Sequence, residues 1–199
     1  MQGYFQPVLI KGPAGVTVSL AEGAAFTQPE TAPLRASLLV GQVYRFRVMN
    51  IPLNPGAEVF PSVELIDRIY PPAGQEQRFP IVVELSHDDI MTALQGKFVT
   101  KVIYLEDPNL ALPALHPGGE QPSFDVAPGR DPLAVADFTG RPVAILRLGA
   151  ILPPQDGSAD GSFFFGSPPW TRPTAAPPTA PVIPATPPVP APRVETASR

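Results

Sequence analysis

The stretch Val43-Tyr-Arg-Phe-Arg-Val-Met49 alternates apolar and charged residues with a period of two. Its tyrosine, phenylalanine and second valine fall on one face of an extended chain, and Arg45 and Arg47 fall on the other. This alternation is typical of a β-strand that packs one face against a core and turns the other face to water. The stretch therefore predicts a β-protein.

The same period recurs on both sides of this stretch. Residues 16–20 and 79–85 also alternate, and Glu84 is expected to point outward. In residues 98–105 both faces are largely apolar, which predicts a central strand covered on both sides. Further candidate strands are residues 8–10, 34–39, 59–66 and 142–148, with Gly and Pro turns between the candidates.

Seven or eight short strands with such turns predict a mainly β fold, an antiparallel immunoglobulin-like β-sandwich over about residues 5–150. Apolar residues on the inward faces supply the expected core. These residues are Val16, Val18, Leu20, Tyr44, Phe46, Val48, Phe79, Ile81, Val83, Phe98, Val102, Tyr104, Ile145 and Leu146.

Two short helices are also indicated. Ser86 can cap a helix that begins at His87, and Gly96 is placed to end it. Because this helix connects two predicted strands, we expect it to cross from one sheet to the other. A second helix is expected to follow Asp131, with Pro132 at its first position, and to end before Gly140.

The composition excludes several classes of protein. The chain has 199 residues, with 30 Pro, no Cys, two His and a net charge of −4. A disulfide framework, a Cys-ligated zinc site and a blue-copper centre all need cysteine, and two histidines cannot form a His₃ site. Nucleic-acid-binding proteins normally have a basic excess, so no nucleic-acid partner is expected.

The composition also changes near residue 153. Residues 153–199 hold 13 prolines in 47 positions. Proline interrupts helices and favours extended polyproline II structure. The sequence therefore predicts a β-sandwich domain over residues 1–152, a Gly/Ser/Phe linker over 153–167 and a disordered, Pro/Ala/Thr-rich extended tail over 168–199.

Several residues of the types found in catalytic or metal-binding sites have simpler structural explanations. Ser86-His87-Asp88 contains the residue types of a hydrolase triad, but adjacent helical side chains point about 100° apart and cannot align. His116 lies in a Pro/Gly loop. The stretch 156–161 resembles the start of a calcium loop, yet Ser167 stands where an EF-hand has a bidentate Glu. No catalytic residue, metal site or cofactor is predicted.

Four aromatic residues near the tail are the interaction candidates: Phe163, Phe164, Phe165 and Trp170. Three consecutive phenylalanines expose a large apolar area if they are left in water. One possibility is that they fold back and close an open edge of the sandwich. The other is that they anchor a second subunit or another protein. The Pro-rich tail beyond them could act as a spacer or as a docking segment for an aromatic groove.

Targeting signals are not apparent in the sequence. Met1-Gln-Gly-Tyr-Phe5 lacks the basic and apolar regions of a signal peptide. No uninterrupted apolar stretch approaches the roughly 18 residues of a membrane-spanning helix. The sequence therefore predicts no transmembrane segment.

Four segments resemble a group of uncharacterised proteins from planctomycete bacteria. The segments are Gly3-Tyr-Phe-Gln-Pro-Val, Gly41-Gln-Val-Tyr-Arg-Phe-Arg-Val-Met-Asn-Ile-Pro, Gly96-Lys-Phe-Val-Thr-Lys-Val-Ile-Tyr-Leu-Glu-Asp-Pro and Arg141-Pro-Val-Ala-Ile-Leu-Arg-Leu-Gly. In that group, such segments follow a secretion or lipoprotein signal. The resemblance implies an envelope or extracellular location and no assigned activity.

These observations favour a non-enzymatic structural or protein-interaction module of the bacterial cell envelope. A protein partner or self-association is the expected mode of action. A sandwich that binds a glycan or another small ligand is an alternative, although one Trp and four Tyr leave few aromatic residues for sugar stacking. A hydrolytic enzyme is the third possibility, and it would need titratable groups to converge in a cleft.

Overall fold

The computed structural model describes residues 3–109, 123–127, 129–154 and 161–173. Across these residues the chain forms two packed, mainly antiparallel β-sheets and two short α-helices. The prediction of a mainly β, immunoglobulin-like sandwich is confirmed in this sense. The strands are β1 (Phe5–Lys11), β2 (Thr17–Glu22), β3 (Ala25–Phe26), β4 (Glu30–Thr31), β5 (Leu34–Leu39), β6 (Val43–Met49), β7 (Ser62–Leu65), β8 (Ile81–Glu84), β9 (Val99–Glu106), β10 (Gly140–Leu148) and β11 (Trp170–Thr171).

The two sheets differ in size and connection. The smaller sheet has the order β11-β5-β1-β8, and the larger sheet has the order β3-β2-β6-β7-β10-β9, with β4 also paired to β2. Neighbouring strands are antiparallel except β1 and β8, which run parallel with Val8 opposite Ile81. Among the described strands the arrangement is therefore mainly antiparallel, with this one parallel pair.

The core lies between the sheets and joins them. One hydrophobic cluster contains the inward residues of β1, β5 and β8 together with those of β2, β6, β7 and β10. In β6, Tyr44, Phe46 and Val48 are buried in this cluster, as the alternation predicts. Ten of the fourteen predicted core residues are buried: Val16, Val18, Leu20, Tyr44, Phe46, Val48, Ile81, Val83, Ile145 and Leu146.

Both predicted helices form where the sequence placed them. Helix α1 (His87–Leu94) connects β8 of the smaller sheet to β9 of the larger sheet, so it is the expected crossover. Ser86 and Asp89 form a capping box at its start, and Gly96 follows its end with a positive φ of 81°. Helix α2 (Pro132–Thr139) is capped by Asp131 and precedes β10. A short 3₁₀ helix spans Glu76–Arg78.

The position of strand β9 differs from the one predicted. It was expected to be a central strand, but it pairs only with β10 and lies at the edge of the larger sheet in the part of the chain that is described. Phe98, just before β9, is 62% exposed, Phe79 is also exposed, and Val102 and Tyr104 are half-buried rather than in the core. These four predictions were wrong: the two phenylalanines are exposed, and Val102 and Tyr104 are covered only in part, with the Phe124 ring 6.4 Å from the Tyr104 ring.

Residues 161–173 contact the sandwich, although the sequence assigned them to the linker and to the start of the tail. Strand β11 pairs with β5, with Trp170 opposite Leu38 and Thr171 opposite Ser37. Trp170 packs against the core cluster. The predicted disordered tail beyond residue 173 lies outside the described residues.

Candidate functional site

Phe163 and Phe164 lie on the outer face of the larger sheet. Each is 7% exposed, and together with Phe26, Phe60 and Ala21 they form a second hydrophobic cluster, here called the Phe cluster. The Phe163 and Phe164 ring centroids are 5.0 Å apart and nearly perpendicular, and the Phe60 ring lies 5.7 Å from Phe163. Edge-to-face packing of this kind stabilises aromatic clusters beyond their buried area.

A tight turn presents the two buried rings. The amide of Gly166 donates to the carbonyl of Gly161 at 2.8 Å, and the amide of Phe165 donates to Ser162 at 3.2 Å. This pair of hydrogen bonds is the Schellman pattern that ends helical turns. Phe165 occupies the left-handed position (φ 52°) that usually holds glycine.

Arg45 is buried beneath this turn. Its Nε donates to the carbonyl of Phe163 at 3.1 Å, and its Nη1 donates to the carbonyl of Phe60 at 2.8 Å. The guanidinium carbon also lies 4.9 Å from the Phe163 ring centroid and 4.7 Å from that of Phe165. Burial lowers the pKa of Arg45 from its ordinary value. Arg45 thus binds residues 161–166 to β6, on the face that the alternation had assigned to water.

The chain then crosses to the smaller sheet at Tyr44. The Tyr44 hydroxyl donates to the carbonyl of Pro169 at 2.8 Å and accepts from the amide of Leu39 at 2.8 Å. Desolvation by burial raises the pKa of Tyr44 above its ordinary value. Arg172 pairs with Glu30 at 2.6 Å, which holds the end of the segment against the body of the domain.

The four aromatic candidates therefore have different surroundings. Phe163 and Phe164 cover the outer face of the larger sheet, whereas Trp170 belongs to the strand that extends the smaller sheet. Phe165 is 41% exposed above Arg45. These contacts show that the segment folds back within one chain, but the buried phenylalanines cover a sheet face, and only Trp170 and Thr171 pair with an edge strand. Anchoring of a second subunit or another protein stays a prediction.

The edge of the larger sheet at β9 is a second surface of interest. At its start, the Phe98 ring lies over Gly149, where an added Cβ would be 2.6 Å from the ring. At its end, Leu105 and Phe138 are exposed, Phe138 to 82%. These two line an open depression of about 460 Å³, together with the carboxylates of Glu106, Asp107 and Asp137 and with Arg141.

A third surface contains arginine and tyrosine side chains, and we call it the Arg–Tyr cluster (Tyr4, Asp67, Arg68, Tyr70 and Arg141). The guanidinium carbon of Arg68 lies 4.6 Å from the Tyr4 ring centroid and 4.3 Å from the Tyr70 ring centroid. Arg141 lies 5.3 Å from the Tyr70 ring and forms an ion pair with Asp67. Tyr70 is 64% exposed.

Two of the residues considered for catalysis lie at the start of helix α1. Ser86 accepts a hydrogen bond from the amide of Asp89 as a helix cap, and His87 is exposed beside it. His116 and residues 156–160 of the possible calcium loop lie outside the described residues. Across residues 3–109, 123–127, 129–154 and 161–173, no three His, Asp or Glu side chains are grouped so that they could hold a metal ion.

Sequence reasoning missed Arg45 and the Arg–Tyr cluster. Arg45 alternates with core residues as an ordinary solvent-facing residue does, and its partner Phe163 is 118 positions away. Arg68 and Tyr4 are also distant in sequence, so no local motif could indicate their contact. Among the described helices, none is long and apolar enough to cross a membrane.

Comparison with known protein families, curated proteins and solved structures finds no match to this chain.

Proposed function

We propose that this chain is a non-enzymatic protein-interaction module of a bacterial cell envelope. In this proposal the β-sandwich domain binds the partner, and the Pro-rich residues beyond β11 act as a spacer or docking segment. The resemblance of four segments to planctomycete envelope proteins supports the location.

The observation that carries the proposal is the edge at β9. This strand has eight residues and pairs on one side only among the described elements. An edge strand presents unpaired amide and carbonyl groups, to which an extended segment of another protein can add. Exposed Phe98 at one end and Leu105 with Phe138 at the other supply apolar contacts that such a partner would bury.

Photo-crosslinking in cells tests this proposal. A photoreactive amino acid replaces Thr100, which is exposed on β9, in the full-length chain produced in a planctomycete host. Leu53 is the control position because it is 93% exposed and lies in the loop after β6 rather than on β9. We expect a discrete crosslinked product from position 100 and none from position 53, with the chain in the envelope fraction.

Substitutions sharpen the result. Leu105→Asp and Phe138→Asp should each reduce the product from position 100, because a carboxylate opposes burial of the apolar contact. Leu53→Asp adds the same charge and should leave the product unchanged. Equal products from positions 53 and 100, or no product at either, would contradict an interaction through β9. Recovery of the chain in the cytosolic fraction would contradict the envelope location.

A further inference from the structure

The Arg–Tyr cluster holds a guanidinium group whose hydrogen-bonding capacity the described residues do not use. The Arg68 side chain donates no hydrogen bond to any part of the chain that the structure describes, and its recorded contacts are with the rings of Tyr4 and Tyr70. A guanidinium carries five N–H donors in a planar fork, and that fork matches a carboxylate in two parallel hydrogen bonds.

The backbone that carries Arg68 is fixed residue by residue. The amides of Ile66 and Asp67 donate to the carbonyl of Val143, at 2.9 and 3.2 Å. The amide of Arg68 donates to Asp67 Oδ1 at 2.7 Å, and the amide of Ile69 donates to the buried Gln6 side chain at 2.7 Å.

Arg141 fixes the same loop from the other side. Its guanidinium donates to the carbonyl of Arg68 at 3.1 Å and pairs with Asp67. Little loop ordering would therefore accompany binding, and a preorganised contact costs less conformational entropy than a mobile one.

The charges of the cluster favour an anion. Asp67 is paired with Arg141, so the positive charge of Arg68 has no carboxylate partner among the described residues. The chain as a whole carries a net charge of −4, so a general attraction for acidic molecules is absent and any such binding must be local.

The residue types indicate the kind of ligand. Arginine and tyrosine are enriched at the centres of protein–protein interfaces, where rigid aromatic rings and charge-assisted hydrogen bonds supply most of the affinity. Here the Tyr70 ring is exposed while guanidinium groups lie 4.3 and 5.3 Å from its centroid. We infer that the Arg–Tyr cluster binds a carboxylate side chain in an acidic segment of a protein partner, with Arg68 as the bidentate donor. This site shares Arg141 with the depression at the end of β9, whereas Arg68 does not line that depression.

Fluorescence anisotropy with a defined probe tests the inference. The probe is a labelled octapeptide of alternating Glu and Ser with blocked ends, titrated with the full-length chain at low salt. Replacing Arg68 by Lys keeps the charge but removes the planar fork, so affinity should fall about fivefold. Arg68→Gln should abolish binding. The matched control is Arg35→Gln, which removes the same charge from another exposed arginine and should leave the affinity unchanged.

A second readout separates binding from folding. Ring-proton shifts of Tyr4 and Tyr70 should change on addition of the peptide to the native chain, which still has Arg68. No measurable binding by the native chain, unchanged ring shifts, or equal weakening by Arg35→Gln and Arg68→Gln would each overturn the inference. Tighter binding of oligogalacturonate of equal charge would overturn the peptide assignment and indicate an acidic glycan instead. Arg68→Gln does not alter β9, so the two proposals are tested separately. A missing crosslink at position 100 counts against the β9 proposal and leaves this inference unaffected.

Discussion

The larger sheet has two regions in which the structure reverses the expectation from the sequence: the Arg45 face of β6 was expected to face water, and β9 was expected to be covered on both faces. Around Arg45, residues 161–166 cover the sheet, and a charged side chain becomes buried among aromatic rings and carbonyl groups. Around β9, Phe98 remains exposed although it is one of the largest apolar residues, and Val102 and Tyr104 are only half-buried. Burial on this sheet is therefore decided by which distant segment packs on it, and residue polarity is a weaker guide.

The largest expected effect tests whether the Phe cluster is a true second core. Phe163→Ala should lower the free energy of unfolding by about 3 kcal/mol, because a buried aromatic ring is lost and a cavity remains. Phe98→Ala removes the same ring from the uncovered edge and should change stability by no more than about 0.5 kcal/mol. Urea denaturation of the full-length chain measures both variants. Similar losses would mean that the two regions do not differ energetically.

The next effect compares two arginines on the same face of β6. Arg45→Met should lower stability by about 2 kcal/mol, because the carbonyls of Phe60 and Phe163 lose their donors while buried. Arg47→Met removes a half-buried ion pair with Glu58 near the surface and should cost less than about 1 kcal/mol. Each variant loses one positive charge from the outward face of β6. The change in net charge is therefore the same in both and does not explain a difference in stability. A larger loss for Arg47→Met, measured by urea denaturation, would contradict the burial of Arg45.

The smallest expected effect is the pH dependence of the ion pair that holds the end of segment 161–173. The hydrogen bond from Arg172 lowers the pKa of Glu30 below its ordinary value. Because the folded-state pKa is depressed, this stabilisation is present above the unfolded pKa and is lost as the pH falls through the folded pKa. Glu30→Gln should therefore lower the melting temperature slightly at neutral pH and leave it unchanged in acid.

The control for this experiment is Glu64→Gln, which breaks the ion pair with Arg147 between strands β7 and β10. Segment 161–173 makes no recorded contact with that pair. Added salt should reduce the Glu30→Gln effect because the pair is exposed. An effect of Glu30→Gln that persists at a pH where carboxylates are protonated would show that the ion pair is not its cause.

Much of the local structure could be predicted because its causes are local. Residues 34–39 and 43–49 form strands with the predicted bounds, and their alternation placed Phe46 and Val48 in the core. Helix α1 begins after Ser86 because the serine hydroxyl and the Asp89 carboxylate satisfy its free amides.

The candidate surfaces could be predicted only in part. Three consecutive phenylalanines indicated that residues 163–165 need cover, but nothing near them in sequence identified Phe26 and Phe60 as the neighbours. The tail was expected to begin at residue 168 because proline dominates the composition there. Pairing of Trp170 with Leu38 depends on the free edge of β5, which no local pattern reveals.

The sequence by itself determined which residues form strands and helices, and which face of most strands is apolar, because backbone geometry, capping and alternation act over a few residues. The tertiary structure decided that β9 pairs with β10 alone among the described strands, that Arg45 is buried and that Arg68 contacts two tyrosine rings. Each of these depends on packing between segments tens of positions apart or more, where the positions of whole elements, rather than the identities of neighbouring residues, determine what each side chain contacts.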